Sequence, residues 1–240
     1  MNRLLAGLAV AAMAAGALCA GERSRTHELI DQLRSRKLAE QQAAEKELVQ
    51  QGTEALPLLL RAIERYPDAS VRARCASIVG RSGDRGVVPN LIVALMDTEL
   101  VVRRAAVEAL GRLGGNEARD TLIKLLTSKE SVIRADAALA LGGIREKVVV
   151  LALIRSLGDD EALVRASAAF VLGGQGDAGA ISPLVDALAD EDENVRAKAH
   201  LSLKRLTKQE FGFKPDAPQA DRDAAMARWR AWAKGSQPEP

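Results

Sequence analysis

The feature that most constrains the fold of this chain is a branched aliphatic residue followed by arginine, which recurs every 31 residues. The five pairs are Val71-Arg72, Val102-Arg103, Ile133-Arg134, Val164-Arg165 and Val195-Arg196. Positions 0, 4, 7 and 8 after the branched residue are apolar in nearly every copy. This spacing predicts an amphipathic helix in each unit, because these positions share one face of a 3.6-residue helical period.

A second helix follows the first in each unit. Its aliphatic residues have the spacing i, i+1 and i+4. In four successive repeats position i is occupied by Leu91, Leu122, Leu153 and Leu184. Between the two helices stands a glycine column: Gly80, Gly111, Gly142 and Gly173. We interpret these glycines as the ends of the first helices, where a residue that tolerates positive φ is favoured.

Neither helix can bury its apolar stripe alone, so consecutive pairs must stack on one another. The sequence therefore predicts an all-α fold, a right-handed α-solenoid of about six antiparallel helix pairs. We assign residues 69–208 to regular repeats and residues 21–68 to an N-terminal cap helix with a divergent first repeat. Residues 209–235 are predicted to form a C-terminal capping loop and helix, and residues 236–240 a disordered tail.

The first twenty residues have the pattern of a secretory signal peptide. Arg3 precedes an uncharged stretch from Leu4 to Leu18, and small residues follow. This stretch is too short to cross a bilayer comfortably. We therefore expect a signal peptide over residues 1–20 and an exported protein, periplasmic or extracellular, with no later transmembrane segment. Lipid attachment at Cys19 is a less favoured alternative, because Leu18 is larger than the residue that usually precedes a lipidated cysteine.

The repeated residues resemble those of a known family. The Val-Arg pair, the Ala-rich stripe ending in Leu-Gly, the Leu-Ile-x-x-Leu second helix and the closing Asp97, Asp159 and Asp190 resemble HEAT-repeat proteins, in particular the short bilin-lyase-like HEAT repeats. The resemblance covers residues 26–207. It implies a binding scaffold, because most proteins of this kind bind other macromolecules, although their partners vary.

Composition excludes several classes of function. The charges nearly cancel, with 34 basic against 32 acidic residues, which argues against nucleic-acid binding. Six aromatic residues in all make a base-stacking platform improbable, and two histidines with two cysteines leave little material for a metal cage. Once the signal peptide is removed, Cys75 is the one remaining cysteine, and we expect a small buried residue there. We expect no catalytic residue, cofactor or metal.

Three further patterns have simple structural interpretations. The arginine column runs beside the aspartate column of the preceding turn, and we expect Arg–Asp ion pairs between layers that position the turns, each worth about 0–1 kcal/mol where exposed. The segment 174–179 spells a dinucleotide-binding motif, but it lies between two helices and is interpreted as a repeat turn. A column of acidic residues precedes the first helices, where carboxylates complement the helix dipole: Asp68, Glu99, Glu130, Glu161 and Asp192.

One further resemblance concerns His27-Glu28. Iron-dependent deoxyhypusine hydroxylases are HEAT-like enzymes with repeated His-Glu pairs as ligands. The matching positions in the first helices of the repeats carry no such pair here. His200 is expected to lie partly covered under the C-terminal cap.

Two surfaces are candidates for binding. The first is the concave face formed by the second helices, with an outward column of mixed chemistry that suits a protein or peptide; its residues are Val93, Lys124, Arg155 and Asp186, with Asn90 and Met96 nearby. The second is the last helix, where Trp229 and Trp232 share one face. We favour a cap for these tryptophans, with a docking surface as the alternative.

The function that follows is a non-enzymatic protein–protein interaction scaffold or adaptor in the cell envelope, binding through the concave face. The alternative is a HEAT-like enzyme or cofactor-handling protein, such as a bilin-lyase-like protein or an oxidoreductase. Colour or stoichiometric iron in the purified protein would distinguish the two.

Overall fold

A computed structural model describes residues 25–235 of the chain, and this part is built from helices without a strand. The predicted signal peptide, Cys19 and the tail 236–240 lie outside the described residues. The contacts divide the chain into two units, which meet in sequence between Ala109 and Leu110. Across residues 25–235, none of the helices combines the length and the apolar character that spanning a membrane requires.

From residue 25 onward, the first unit contains five complete α-helices and the beginning of a sixth. They are α1 (25–32), α2 (Leu38–Gln51), α3 (Leu56–Arg65), α4 (Ala69–Val79), α5 (Val88–Ala94) and the N-terminal part of α6 (Leu100–Leu113). Helix α3 packs against α4 and α5, and α2 packs against α4. The core of this first unit is aliphatic, with Leu33, Leu48, Leu59 and Leu91 fully buried.

Up to residue 235, the second unit contains the end of α6 and seven further α-helices. They are α7 (Asn116–Leu125), α8 (Ser131–Ala140), α9 (Lys147–Ser156), α10 (Ala162–Gln175), α11 (Ile181–Asp186), α12 (Glu193–Thr207) and α13 (Gln219–Gly235). The first helices of successive repeats, α8, α10 and α12, stack side by side. The second helices α7, α9 and α11 lie beside them, with α7 next to α9, and the C-terminal helix α13 packs on α11. This arrangement confirms the prediction of an all-α solenoid of stacked helix pairs.

The acidic column stands at the N-termini of the first helices, as predicted. Asp68 accepts a hydrogen bond from the Ser70 N–H, and Asp192 accepts one from the Val195 N–H. Glu130 and Glu161 occupy the same N-cap position without a side-chain hydrogen bond to the helix. The aspartates therefore cap their helices by a hydrogen bond to a backbone N–H. The glutamates act on the helix ends through the attraction between the carboxylate and the helix dipole, because their longer side chain is a poorer N-cap acceptor.

The interpretation of the glycine column is correct in one part and wrong in another. Gly80 does end a first helix, as the C-cap of α4, but its φ of −61° lies outside the left-handed region, and Gly173 lies inside α10. Glycines with positive φ stand three residues later, at Gly83 and Gly176. At Gly80, Gly111 and Gly173 the missing side chain lets the next first helix approach closely: a Cβ on Gly173 would lie 2.4 Å from the Ser202 Oγ and 2.7 Å from its Cα.

This close approach leads to a test of the stacking. We expect Gly173→Ala to lower the free energy of unfolding by about 1–3 kcal/mol, because the added methyl overpacks the contact between α10 and α12. Gly142→Ala is the matched control, since its Cβ would meet Val171 at an ordinary 3.6 Å. Chemical denaturation followed by circular dichroism measures both. Equal stability of the two variants would show that the helices separate without cost.

Arginines of the column tie their repeats to the next one. In the second unit Arg165 makes a bidentate contact with Asp190, at 2.7 and 2.9 Å, and Arg134 makes the same contact with Asp159, at 2.7 and 2.8 Å. The carboxylate lies 25 residues after the arginine, in the next repeat, and this confirms the expected Arg–Asp pairs between layers. The preceding turn supplies backbone carbonyls instead: Arg165 donates to the oxygens of Asp159 and Asp160.

These pairs are also more covered than the sequence suggested. The side chains of Arg165 and Asp190 are each 10% exposed, so they are not surface ion pairs. Arg72 and Asp97 form the corresponding pair in the first unit. At the C-terminal end of the column Arg196 donates instead to the Pro215 carbonyl at 2.9 Å. The capping loop thus supplies the acceptor that the next repeat would have provided.

Candidate protein-interaction surface

The second helices of the second unit present one exposed side chain each at equivalent positions. Lys124 on α7, Arg155 on α9 and Asp186 on α11 stand 31 residues apart and are exposed. The opposite side of each helix is fixed by a fully buried leucine in the core, at Leu122 and Leu153 for the first two. Because the buried leucine and the exposed residue repeat together, the outward column keeps its register from helix to helix.

Helix α9 adds exposed aliphatic side chains to the same surface. Val148 and Leu151 are each 47% exposed. They precede Arg155 by seven and four residues, and this spacing places all three on one helical face. The repeat pattern does not indicate that these two aliphatic residues are exposed, because apolar positions of a helix are predicted to lie in the core.

Charges at the N-terminal ends of these helices are already matched within the protein. Arg119 contacts the carboxylates of both Asp120 and Glu146, at 2.8 and 2.6 Å. Lys147 contacts Asp177 at 3.0 Å. These ion pairs link α7 to the start of α9 and the start of α9 to the turn before α11.

A cavity of about 370 Å³ lies between α11 and α13. Val185 and Ala233 provide apolar walls, and Ser182 provides a hydroxyl group. Arg230 and Lys234 line it from α13, and the Arg230 guanidinium lies 3.8 Å from the Asp186 carboxylate. Both partners of this ion pair are more than half exposed, so the attraction is weak.

A second cavity of about 400 Å³ lies on the other side of Asp186. Gly158, which follows α9, and Pro183 on α11 are among its lining residues. Asp186 therefore stands between two depressions, one against α13 and one against the end of α9. The sequence could not indicate the cavity at α13, since this helix lies outside the 31-residue period.

The remaining residues of the predicted concave column lie in the first unit. Asn90 is exposed at the surface of α5, with Val93 66% exposed on the same helix. Met96 follows the helix and is 84% exposed. Val93 and Met96 are thus accessible to a partner, and binding at this helix face stays a prediction.

The aromatic residues of the C-terminal segment form a packed cluster. Trp229 is fully buried and meets Phe211 edge-on at 4.7 Å between ring centroids, while Trp232 lies 5.9 Å from Trp229 and is half-buried. Trp229 is therefore inaccessible to a partner, and this supports the cap for its side chain. His200 is half-buried. Its ring lies tilted against the Phe213 ring, with 5.4 Å between the two ring centroids. Burial and the neighbouring Lys204 lower the pKa of His200, against the opposite effect of Glu210.

The side chains that could carry other chemistry are dispersed or covered. Within residues 25–235 no three His, Cys, Asp or Glu side chains are grouped so that they could hold a metal ion. Cys75 is buried, and burial raises the pKa of its thiol to about 12. The segment that spells a dinucleotide motif is the turn between α10 and α11, with Gly176 at a φ of 76°.

Solved structures with similar folds include both natural and designed repeat proteins. The Escherichia coli protein YibA matches with a TM-score of 0.56 and 20% identity, over 76% of this chain and 72% of that one. The complex of CpcE and CpcF of phycocyanin lyase from Nostoc matches with a TM-score of 0.42 and 24% identity, over 75% and 98%. A designed armadillo repeat protein in complex with the peptide (KR)4 matches with a TM-score of 0.48 and 18% identity, over 75% and 98%.

At these identities the structural matches show the fold alone. Among curated proteins none matches the sequence. The family model for HEAT repeats, in contrast, matches residues 56–142 and 150–220, which is well over half of the chain. These ranges contain all five Val-Arg or Ile-Arg pairs and the helices that stack through them. The chain therefore belongs to the HEAT-repeat family.

Proposed function

We propose that this protein is an exported, non-enzymatic scaffold that binds another protein of the cell envelope through the surface of its second helices. The observation that carries the proposal is the exposed column Lys124, Arg155 and Asp186, beside the aliphatic Val148 and Leu151. Core positions repeat along the array, whereas this column changes its chemistry from one helix to the next. A rigid array with variable exposed positions is suited to binding an extended surface of a partner.

The mixed chemistry of the surface supports a protein or peptide as the partner. Exposed aliphatic residues next to charged ones resemble the composition of protein interfaces, in which apolar contacts are surrounded by polar ones. A nucleic acid requires a surface that neutralises successive phosphates, and Asp186 interrupts the column with a negative charge. The N-terminal twenty residues support export by their signal-peptide pattern.

Photo-cross-linking in cells that make the full-length protein tests this function. A photoreactive amino acid is placed at Lys124, Arg155 or Ser182 on the second helices. The expected result is one dominant cross-linked envelope protein from these positions. The matched controls are Asn194 and Leu201, which are exposed on the first helix α12.

The controls are expected to give no specific product, because they lie outside the proposed surface. Cross-links from the controls alone would assign binding to the first helices instead. The absence of a specific product from either set would contradict the scaffold function. Absorption spectra and metal analysis of the same purified protein test the enzymatic alternative, which requires a bound chromophore or metal.

A further inference from the structure

The charges of the second-helix surface are unequally distributed between the two ends of the helices in the second unit. At the N-terminal ends, Arg119 and Lys147 are each bound to carboxylates of the protein itself. At the C-terminal ends the exposed basic residues form what we call the basic row: Lys124, Arg155, Arg230 and Lys234. Asp186 is the acidic residue of the 31-residue column beside this row, and its weak contact with Arg230 leaves the row with an excess of positive charge.

The row is continuous from α7 to α13. Helix α7 packs on α9, and α11 packs on α13. The cavity lined by Gly158 and Pro183 connects the end of α9 to α11. Three steps of about 8–10 Å from one helix to the next span about 24–30 Å. An extended peptide of about eight residues covers this distance at about 3.3 Å per residue.

Apolar sites accompany the positive charges. Leu151 stands one helical turn before Arg155 and is 47% exposed. In the cavity between α11 and α13, the apolar walls of Val185 and Ala233 lie beside Arg230 and Lys234. The same short stretch of a ligand would therefore meet an aliphatic site and a cation at α9, and again at α13.

We propose that the basic row binds an extended acidic segment of a partner protein in which aliphatic residues alternate with glutamate or aspartate. The carboxylates contact Arg155, Arg230 and Lys234, and one aliphatic side chain enters the cavity between α11 and α13. Charge complementarity selects this occupant, because the four cations of the basic row outweigh the carboxylate of Asp186 beside them. This inference rests on the proposed scaffold function and names the chemistry of its partner.

Fluorescence anisotropy with the full-length protein tests the proposal. The probe is a fluorescein-labelled peptide of about eight residues that alternates glutamate and leucine, and two analogues carry glutamine or lysine in place of glutamate. The acidic peptide is expected to bind at least about tenfold more tightly than the glutamine analogue, with an affinity that falls as salt rises. Equal binding of the acidic and glutamine peptides would overturn the proposal.

Charge reversal locates the binding. The double variant Arg155→Glu with Lys234→Glu is expected to weaken binding of the acidic peptide at least about tenfold, because it removes two attractions and adds two repulsions. Arg205→Glu is the matched control, since Arg205 is exposed on the first helix α12, and it is expected to change the affinity by less than about twofold. If the two cations only complement the helix dipoles, the double variant lowers the melting temperature and leaves peptide binding unchanged, which overturns the proposal.

The failure of this inference is distinguishable from the failure of the scaffold function. Binding of the glutamine or lysine peptide, lost in Leu151→Asp, would retain the surface and refute the acidic partner. Cross-links from Arg155 to a partner without an acidic segment would likewise retain the surface and refute the acidic partner. If no peptide binds and no position on the second helices cross-links in cells, both the acidic partner and the scaffold function are contradicted.

Discussion

Trp229→Ala is expected to lower the free energy of unfolding by about 3–5 kcal/mol, because it removes a fully buried large aromatic side chain and leaves a cavity. The ring fills the space between α13 and the preceding loop, where it meets Phe211 and Trp232 edge-on or nearly so. Without it the packing of α13 against α11 is weakened. The destabilisation should therefore begin at the C-terminal end of the second unit.

The chain provides its own probe for this loss. Both of its tryptophans lie in α13, so tryptophan fluorescence reports on the cap while circular dichroism reports on all helices. In the unaltered protein we expect the two signals to change at the same denaturant concentration. In Trp229→Ala the fluorescence of Trp232 should change first, because the cap separates before the repeats unfold.

Two variants complete the comparison. Trp229→Phe is expected to lower the free energy of unfolding by less than half as much as Trp229→Ala does. Phenylalanine keeps most of the aromatic ring, and the indole N–H that is lost has no hydrogen-bond acceptor among the described residues. Trp232→Ala is expected to cost about 1–2 kcal/mol, because this side chain is only half-buried. Unchanged stability of Trp229→Ala together with lost partner binding would contradict the cap and support the docking surface that the sequence left as an alternative.

The 31-residue period predicted the helix pairs and their stacking because burial repeats with the backbone. Val71, Val102 and Val164 are all fully buried at the same position of successive first helices. The glycine column was misinterpreted in part because a period shows that small size is required and does not show why. A glycine at a helix end and a glycine facing a neighbouring helix give the same column. In the second glycine column Gly176 ends α10 with a positive φ, whereas α4 ends at Gly80, three residues before Gly83.

The arginine pairing illustrates a different limit. An aspartate six residues before Arg165 and one 25 residues after it occupy the same column, since the two offsets differ by one period of 31. The sequence therefore cannot tell whether the carboxylate lies at the turn before the helix or at the turn after the next helix. Only the stacking of the repeats decides, and it selects Asp190.

The candidate surface was predicted in part for the same reason. Lys124, Arg155 and Asp186 follow from the period, because an outward position recurs once the inward positions are known. The cavity with Arg230 and Lys234 does not, because α13 has no counterpart in the other repeats and its position depends on the capping loop. The proposed acidic partner therefore depends most on Arg230 and Lys234, whose positions the repeat pattern does not predict.

Asp190→Ala is expected to lower the free energy of unfolding by about 2–4 kcal/mol, because it leaves the covered guanidinium of Arg165 without its bidentate acceptor. This cost is below that of breaking a fully buried pair, since each side chain is 10% exposed. Arg165→Ala is expected to cost a similar amount, because the carbonyls of Asp159 and Asp160 also lose a donor. Asp160→Ala is the control, as its side chain is exposed.

The double variant Arg165→Ala with Asp190→Ala should cost clearly less than the sum of the two single changes, because the second change removes a partner that the first has already isolated. Additive costs, measured by denaturant unfolding in such a double-mutant cycle, would show that the pair contributes nothing beyond the packing of its separate side chains.

The same pair predicts how stability depends on pH. Burial alone would raise the pKa of Asp190, but hydrogen bonds from Arg165 and from the Asp192 N–H reverse this and hold it below its ordinary value. A carboxyl group whose pKa is lower in the folded protein than in the unfolded chain stabilises the fold at pH values above the unfolded pKa of about 3.9. This stabilisation is lost as pH falls through the folded pKa.

Unfolding curves between about pH 6 and pH 2 should therefore show a steeper loss of stability for the parent protein than for Asp190→Asn, which has no carboxyl group to titrate at this position. Parallel curves would show that the Arg165–Asp190 contact makes no electrostatic contribution to the stacking of the repeats.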